Sequence, residues 1–157
     1  MKHTIQVLVE NKFGVLARIA SLFSARGYNI DSLAVGETQD PTISCMTIVV
    51  NAEDERVLEQ IKKQLHKLID VITVVDLTRK DYIDRELILL KIYNKKPAKD
   101  MVEELVKNYP VEILDKNEEY FILQVCAEHN DLENIFKEIK KIGIKELIRT
   151  GKIAIAK

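Results

Sequence analysis

The chain has 157 residues, 46% of them hydrophobic, with 24 basic against 25 acidic side chains and a formal net charge of −1. That length gives one compact domain or two small ones, and the balanced charge argues against a general nucleic-acid or membrane-surface binder, which carries a basic excess. No apolar run approaches the ~20 residues that cross a bilayer, and Met1-Lys2-His3 leads into a strand pattern rather than a signal core, so a cytoplasmic location is expected.

Thr4 to Glu10 reads as a strand, apolar at Ile5, Val7 and Val9, with one face on a core. Asn11-Lys12-Phe13-Gly14 follows as a loop. Val15, Leu16, Ile19, Ala20, Leu22 and Phe23 then repeat at helical spacing up to Arg26, with Arg18, Ser21 and Ser24 between them. Gly27 suits the left-handed residue that ends a helix. Ile30 to Glu37 and Ile43 to Val50 read as strands around a turn at Gln39-Asp40-Pro41. Asn51-Ala52-Glu53-Asp54 opens a second helix with acids in its first turn. Val57, Leu58, Ile61, Leu65 and Leu68 form its buried stripe, and Val71 to Leu77 closes as a strand.

Residues 79–85 are polar and charged and read as a linker. Glu86 to Ile92 is a strong strand pattern. Pro97 to Asn108 reads as a helix with its proline near the first turn. Val111 to Leu114 and Tyr120 to Cys126 are strands around a turn at Asp115 to Glu118. Asn130 is placed to cap a fourth helix that Gly143 ends, and Ile144 to Ile155 returns as one or two strands. The order βαββαβ thus occurs twice, as a shared pattern rather than shared residues. It predicts an α+β fold of two ferredoxin-like βαββαβ sandwiches in tandem, each with two helices on one sheet face. The boundaries are 1–78, a linker at 79–85, and 86–157. Halves this small are marginal alone, so a dimer is expected to complete the core or extend the sheet.

No catalytic constellation can be assembled. His3, His66 and His129 have no metal-ligand spacing to one another or to a cysteine. Cys45 and Cys126 lack a CxxC partner and read as two buried reduced thiols. There is no GxSxG, GxGxxG or GxxxxGK[ST], and five glycines make a phosphate cradle hard to build. The acid pairs Glu53-Asp54 and Glu118-Glu119, and the lysine pairs Lys62-Lys63, Lys95-Lys96 and Lys140-Lys141, read as solvated charge. Split-βαβ sheets can bind RNA through aromatics on central strands, but Ile43 to Val50 contains none.

The loop carries more chemistry. A helix that starts after Gly14 exposes its first N–H groups, which with the dipole suit a carboxylate. Gly14 lets a ligand approach because nothing projects from its Cα. Asn11 and Asn29 each offer an amide N–H and a carbonyl oxygen, and the oxygen can accept from an ammonium group. Val15, Leu16, Ile30 and Val35 could line an apolar pocket for a side chain. A tight strand-to-helix turn uses the same residues, so spacing alone leaves both readings open.

The run Val9-Glu10-Asn11-Lys12-Phe13-Gly14-Val15-Leu16-Ala17-Arg18, followed by Leu22-Phe23-Ser24-Ala25-Arg26-Gly27-Tyr28-Asn29-Ile30-Asp31-Ser32-Leu33, resembles the regulatory small subunits of acetolactate (acetohydroxyacid) synthase. So do Glu59-Gln60-Ile61-Lys62-Lys63-Gln64-Leu65-His66-Lys67-Leu68, Asp84-Arg85-Glu86-Leu87 and Arg149-Thr150-Gly151. The likeness spans the chain and thins between residues 95 and 145. It implies an ACT domain at 1–78 and a ferredoxin-like domain at 86–157. It also implies side-by-side homodimers through the ACT domains and a branched-chain amino-acid effector, typically valine, sometimes leucine or isoleucine. By position, Asn11, Gly14, Val15 and Leu16 would hold one end of the effector, and Asn29 and Ile30 of a second copy would close the other. The family has no activity of its own. It activates a large catalytic subunit and makes it sensitive to end-product inhibition. Thiamine diphosphate, Mg and FAD belong to that subunit, with no cofactor, metal or catalytic residue expected on this chain. Two positions depart from the family pattern: Phe13 stands where proline or serine is usual, and Cys45 where arginine is usual. A free-standing amino-acid sensor acting on another enzyme or a transcription factor is the alternative. An enzyme on the same scaffold would turn over substrate alone.

Overall fold

A computed structural model describes residues 2–52 and 55–157. In the first half the elements run β1 (Lys2–Glu10), α1 (Val15–Ser24), β2 (Ile30–Glu37), β3 (Ile43–Asn51), α2 (Glu55–Leu65) and β4 (Val71–Asp76). In the second they run β5 (Tyr82–Tyr93), α3 (Ala98–Asn108), β6 (Val111–Lys116), β7 (Tyr120–Ala127), α4 (His129–Ile139), β8 (Ile144–Arg149) and β9 (Ile153–Ala156). Both βαββαβ series are present, and the fold is α+β as expected. Glu53 and Asp54, expected in the first turn of the second helix, lie outside the described residues. Glu55 supplies an acid to that turn.

Two compact units result, Met1–Ile83 with Lys152–Lys157, and Asp84–Gly151. In the first, an antiparallel sheet has the order β2-β3-β1-β4. Ile5, Val7 and Val9 of β1 share a core with Met46, Ile48 and Val50 of β3, with Val15, Ile19, Leu22 and Phe23 of α1, and with Leu58, Ile61 and Leu65 of α2. The period of two on the strands meets the 3.6 period on the helices, so one sheet face is covered. In the second unit the order is β6-β7-β5-β8. Ile88, Leu90 and Ile92 pack with Val102 and Leu105 of α3 and Leu132 and Ile135 of α4.

Several local expectations are corrected. Strand β5 starts at Tyr82, inside the segment expected as a linker. Residues 152–157 pack with the first unit. The Lys152 N–H donates to Ser32 Oγ at 3.0 Å, Gln6 Nε2 donates to the Ala154 carbonyl at 3.2 Å, and the Lys157 N–H donates to the Asp81 carbonyl at 3.0 Å. Gln6 alternates with Ile5 and Val7, so this tail lies over the sheet face opposite the helices. Asn130 is not a cap: α4 begins at His129 with Glu128 in the N-cap position. His3 is buried rather than superficial, with both ring nitrogens unpartnered among the described residues. Its odd-numbered place in β1 puts it on the helix side, with Ile5 and Val7. Cys126 is exposed and Cys45 only partly covered, not both buried. Burial pushes the Cys45 thiol up, against a smaller lowering from its hydrogen bond with Gln6.

The segments Arg85-Glu86-Leu87 and Arg149-Thr150-Gly151 meet in the second unit. Arg149 Nε and Nη2 donate to the two Glu86 oxygens at 2.7 and 2.6 Å. The Leu87 N–H donates to Thr150 Oγ1 at 3.2 Å, and the Thr150 N–H to the Leu87 carbonyl at 3.0 Å. Glu86 is buried, so its charge needs this fork.

Candidate functional site

The loop between β1 and α1 is fixed from two sides. The Asn11 N–H donates to the Thr42 carbonyl at 2.7 Å, and its Nδ2 to the Pro41 carbonyl at 2.9 Å. That ties the loop to the β2–β3 turn. The turn is braced in its own right, because the Thr42 N–H and hydroxyl both donate to Asp40 Oδ1, at 2.9 and 2.6 Å. These bonds, the hydroxyl's first, hold the Asp40 carboxyl below its usual range. From the other side, the Glu10 N–H donates to the Asp70 carbonyl at 2.9 Å.

Asp70 is buried, and its Oδ2 accepts from Arg18 Nε at 2.9 Å and pairs with Nη2 at 2.7 Å. Arg18 is one turn into α1, so this pair fixes the helix start against the beginning of β4. Lys12, fully exposed, is drawn to Glu10 at 2.6 Å; that hydrogen bond raises its pKa.

Gly14 enters α1 at φ 79 and ψ −2, in the left-handed region where a Cβ is strained. A Cβ there would lie 3.1 Å from Arg18 Nη1. The Val15 N–H donates to the Lys12 carbonyl at 3.3 Å and the Arg18 N–H to that of Gly14 at 3.0 Å. Among the described residues, the Leu16 and Ala17 N–H groups have no such acceptor. They are the open donors that a helix start leaves. Among the described residues no donor is bonded to Asn11 Oδ1 either. This corner therefore offers backbone donors to an anion and a carbonyl oxygen to a cation.

The sequence-derived residues divide into two places. Asn11, Gly14, Val15 and Leu16 surround the start of α1. Val15 is buried as a core residue, whereas Leu16 is 44% exposed. Asn29 and Ile30 lie past the far end of α1, ten residues and about 15 Å along. Asn29 Nδ2 donates to Asp31 Oδ1 at 2.7 Å, and Ile30 is half-buried against the core. The fold of one chain therefore does not bring Asn11 and Asn29 together. Phe13 is fully exposed at the loop tip. Cys45 lies on the helix-free sheet face, opposite Leu8 and Gly36. Sequence reasoning missed Arg18, Asp70, Pro41 and Thr42. Arg18 was visible only as a charge in an apolar stripe, and Asp70 gave no signal at all.

Among the described residues, no three His, Cys, Asp or Glu side chains are grouped to hold a metal ion. No helix there is long and apolar enough to cross a membrane.

Residues 5–73 match a family model described as an AHAS small subunit-like ACT domain. Residues 85–157 match one described as the small subunit of acetolactate synthase. The chain is 43% identical over 157 residues to the probable acetolactate synthase small subunit of Archaeoglobus fulgidus, covering 100% of this chain and 98% of that one. It is 38% identical over 157 residues to the acetolactate synthase small subunit of Bacillus subtilis, covering 100% and 91%. The crystal structure of an acetolactate synthase small subunit from Thermotoga maritima superposes with a TM-score of 0.87 at 30% identity, covering 100% of this chain and 98% of that one. The chain therefore belongs to the acetolactate synthase small-subunit family.

Proposed function

We infer that this chain senses a branched-chain amino acid, valine first among them, and through it regulates a thiamine-diphosphate-dependent catalytic subunit, which it also activates. The observation that carries this reading is the start of α1. Open N–H groups, a glycine at φ 79 and the Asn11 carbonyl oxygen together match a zwitterion without a charged side chain. The ligand's carboxylate lies against the Leu16 and Ala17 N–H groups and its ammonium against Asn11. Leu16 and Val35, 44% and 45% exposed, offer apolar surface for the side chain. Asn29 and Ile30 of a second copy close the site, with β2, one of the two outer strands of the first sheet, as the pairing edge.

The test mixes the chain with its cognate catalytic subunit and measures acetolactate formation with and without valine. The expected result is a higher rate with the chain present and a valine-dependent fall. No change in either sinks the reading. Separate titrations with valine, leucine and isoleucine rank the effectors. The free-standing sensor reading instead has the chain bind valine and leave the thiamine enzyme untouched.

A further inference from the structure

An open groove of about 540 Å³ runs between α1 and α2 of the first unit. It lies on the other side of α1 from Leu16. Arg18, Ser21, Leu22, Arg26, Lys67 and Leu68 line it, and among the described residues no acidic side chain does. Three cations thus flank a floor made by Leu22 and Leu68. Two are held in place: Arg18 by Asp70, and Arg26 by Gln64 Oε1 at 2.7 Å and the Leu22 carbonyl at 3.3 Å. Lys67 is exposed and has no carboxylate partner among the described residues.

The spacing selects the occupant. Arg18 and Arg26 are eight residues apart, about 12 Å at a helical rise, with Arg26 in the turn just past α1. One small anion cannot bridge them. A helical segment with two acids about two turns apart can, and an apolar residue between those acids would meet Leu22 and Leu68. We propose that this groove docks such an acidic, apolar-centred segment of the catalytic subunit. The proposal rests on the reading that a catalytic subunit is the partner. Gly14 also lines the groove, and Arg18 is bonded to the residue that holds Glu10. Docking therefore touches the clamp of the effector loop, which gives binding at either place a physical route to the other.

The test measures association of the intact chain with its catalytic subunit at low and high salt, for wild type, Lys67→Glu and Arg26→Glu/Lys67→Glu. Lys67→Glu alters one exposed, unpaired side chain and does not depend on the fold tolerating loss of the Arg26 bonds. Expected are a salt-sensitive wild-type affinity, a weakening of roughly threefold or more for the single variant, and about tenfold for the double. Valine affinity of the isolated variants, read by calorimetry, stays at the wild-type value. Wild-type association with unaltered affinity in both variants overturns the groove alone. Loss of self-association with catalytic-subunit binding intact also overturns it, in favour of a second copy as occupant. Failure of the wild type to associate at all overturns the functional reading and the groove with it.

Discussion

Replacing Gly14 by aspartate separates backbone strain from electrostatics at the loop. At φ 79 a residue with a Cβ loses roughly 1–2 kcal/mol. The new Cβ would lie 3.1 Å from Arg18 Nη1, so the guanidinium must give by a few tenths of an ångström. The added carboxylate then competes with Asp70 for Arg18. Unfolding stability should fall by about 1–2 kcal/mol, which a domain of ordinary stability survives. Binding should lose more. A ligand carboxylate at the start of α1 would sit about 4 Å from the new charge. That repulsion is about 4 kcal/mol at an effective dielectric near 20 and about 1 kcal/mol in bulk water. Gly14 is half-buried, so the loss falls between these limits, about five- to a thousandfold in Kd for valine. Gly14→Ala carries the strain without the charge and should change Kd by less than about fivefold. Calorimetric titration with valine, with urea midpoints on the same samples, reads both quantities. Wild-type valine affinity in Gly14→Asp, alongside the expected loss of stability, would refute the placement of the ligand carboxylate.

Three further outcomes follow from the same coordinates. His3→Leu should raise the urea midpoint, by about 1–2 kcal/mol in stability, because it removes two buried nitrogens that have no partner among the described residues; a lower midpoint would show that the ring is bonded to a group outside them. Arg149→Met strands the Glu86 carboxylate, whose side chain is 8% exposed. It should cost about 2–3 kcal/mol, below the full value for a buried pair because Arg149 is 43% exposed. An unaltered melting curve would refute this. The Asp40 carboxyl is depressed, so the bracing of Thr42 is fully present above the ordinary aspartate pKa of ~3.9 and is lost as pH falls through the lower, folded value. The Asn11 side-chain amide, bonded to Pro41 in that turn, should shift in NMR spectra with a midpoint below the ordinary aspartate value. A midpoint at or above it counts against the coupling.

The elements were legible because two periods alternate cleanly along this chain. Ile5, Val7 and Val9 could only be a strand face, and Val15, Ile19, Leu22 and Phe23 a helix face. Their packing together in one core follows from those patterns. His3 belongs to the same odd series, but its nearness to the terminus hid the fact. Cys126 was misjudged for the opposite reason. It follows Val125, a core residue, so alternation sends it outward, and its small apolar character misled. The Gly14 corner was legible as chemistry but not as geometry. The residues that immobilise it, Asp70 and the Pro41 and Thr42 carbonyls, are 30 or more positions from their partners. Pro41 and Thr42 act there through backbone atoms that every sequence shares. No local pattern encodes such pairings.

The register of the first sheet makes one expectation sharper than sequence could. Glu10 is opposite Ile43, and Ile30 is opposite Val50, on the same strand β3. Asn11 follows Glu10 and Asn29 precedes Ile30, so the two lie beyond opposite ends of the Ile43–Val50 stretch, which is itself about 23 Å long. A site that uses both must take them from two chains, and a two-fold pairing then makes two such sites, each with Asn11 of one copy and Asn29 of the other. Complementation follows from this arithmetic. Asn11→Ala and Asn29→Ala chains, each alone, have a damaged residue in every site. When the two are unfolded together and refolded, half of the dimers are mixed. In each of these, one site carries both substitutions and the other carries neither. Roughly a quarter of all sites should then recover wild-type valine affinity, visible by calorimetry as a tight-binding fraction absent from either variant. If each site lies within a single chain, every site keeps one substitution whatever the mixture, and no tight fraction emerges. That outcome would refute a site shared between two chains while leaving Gly14 and the start of α1 in place.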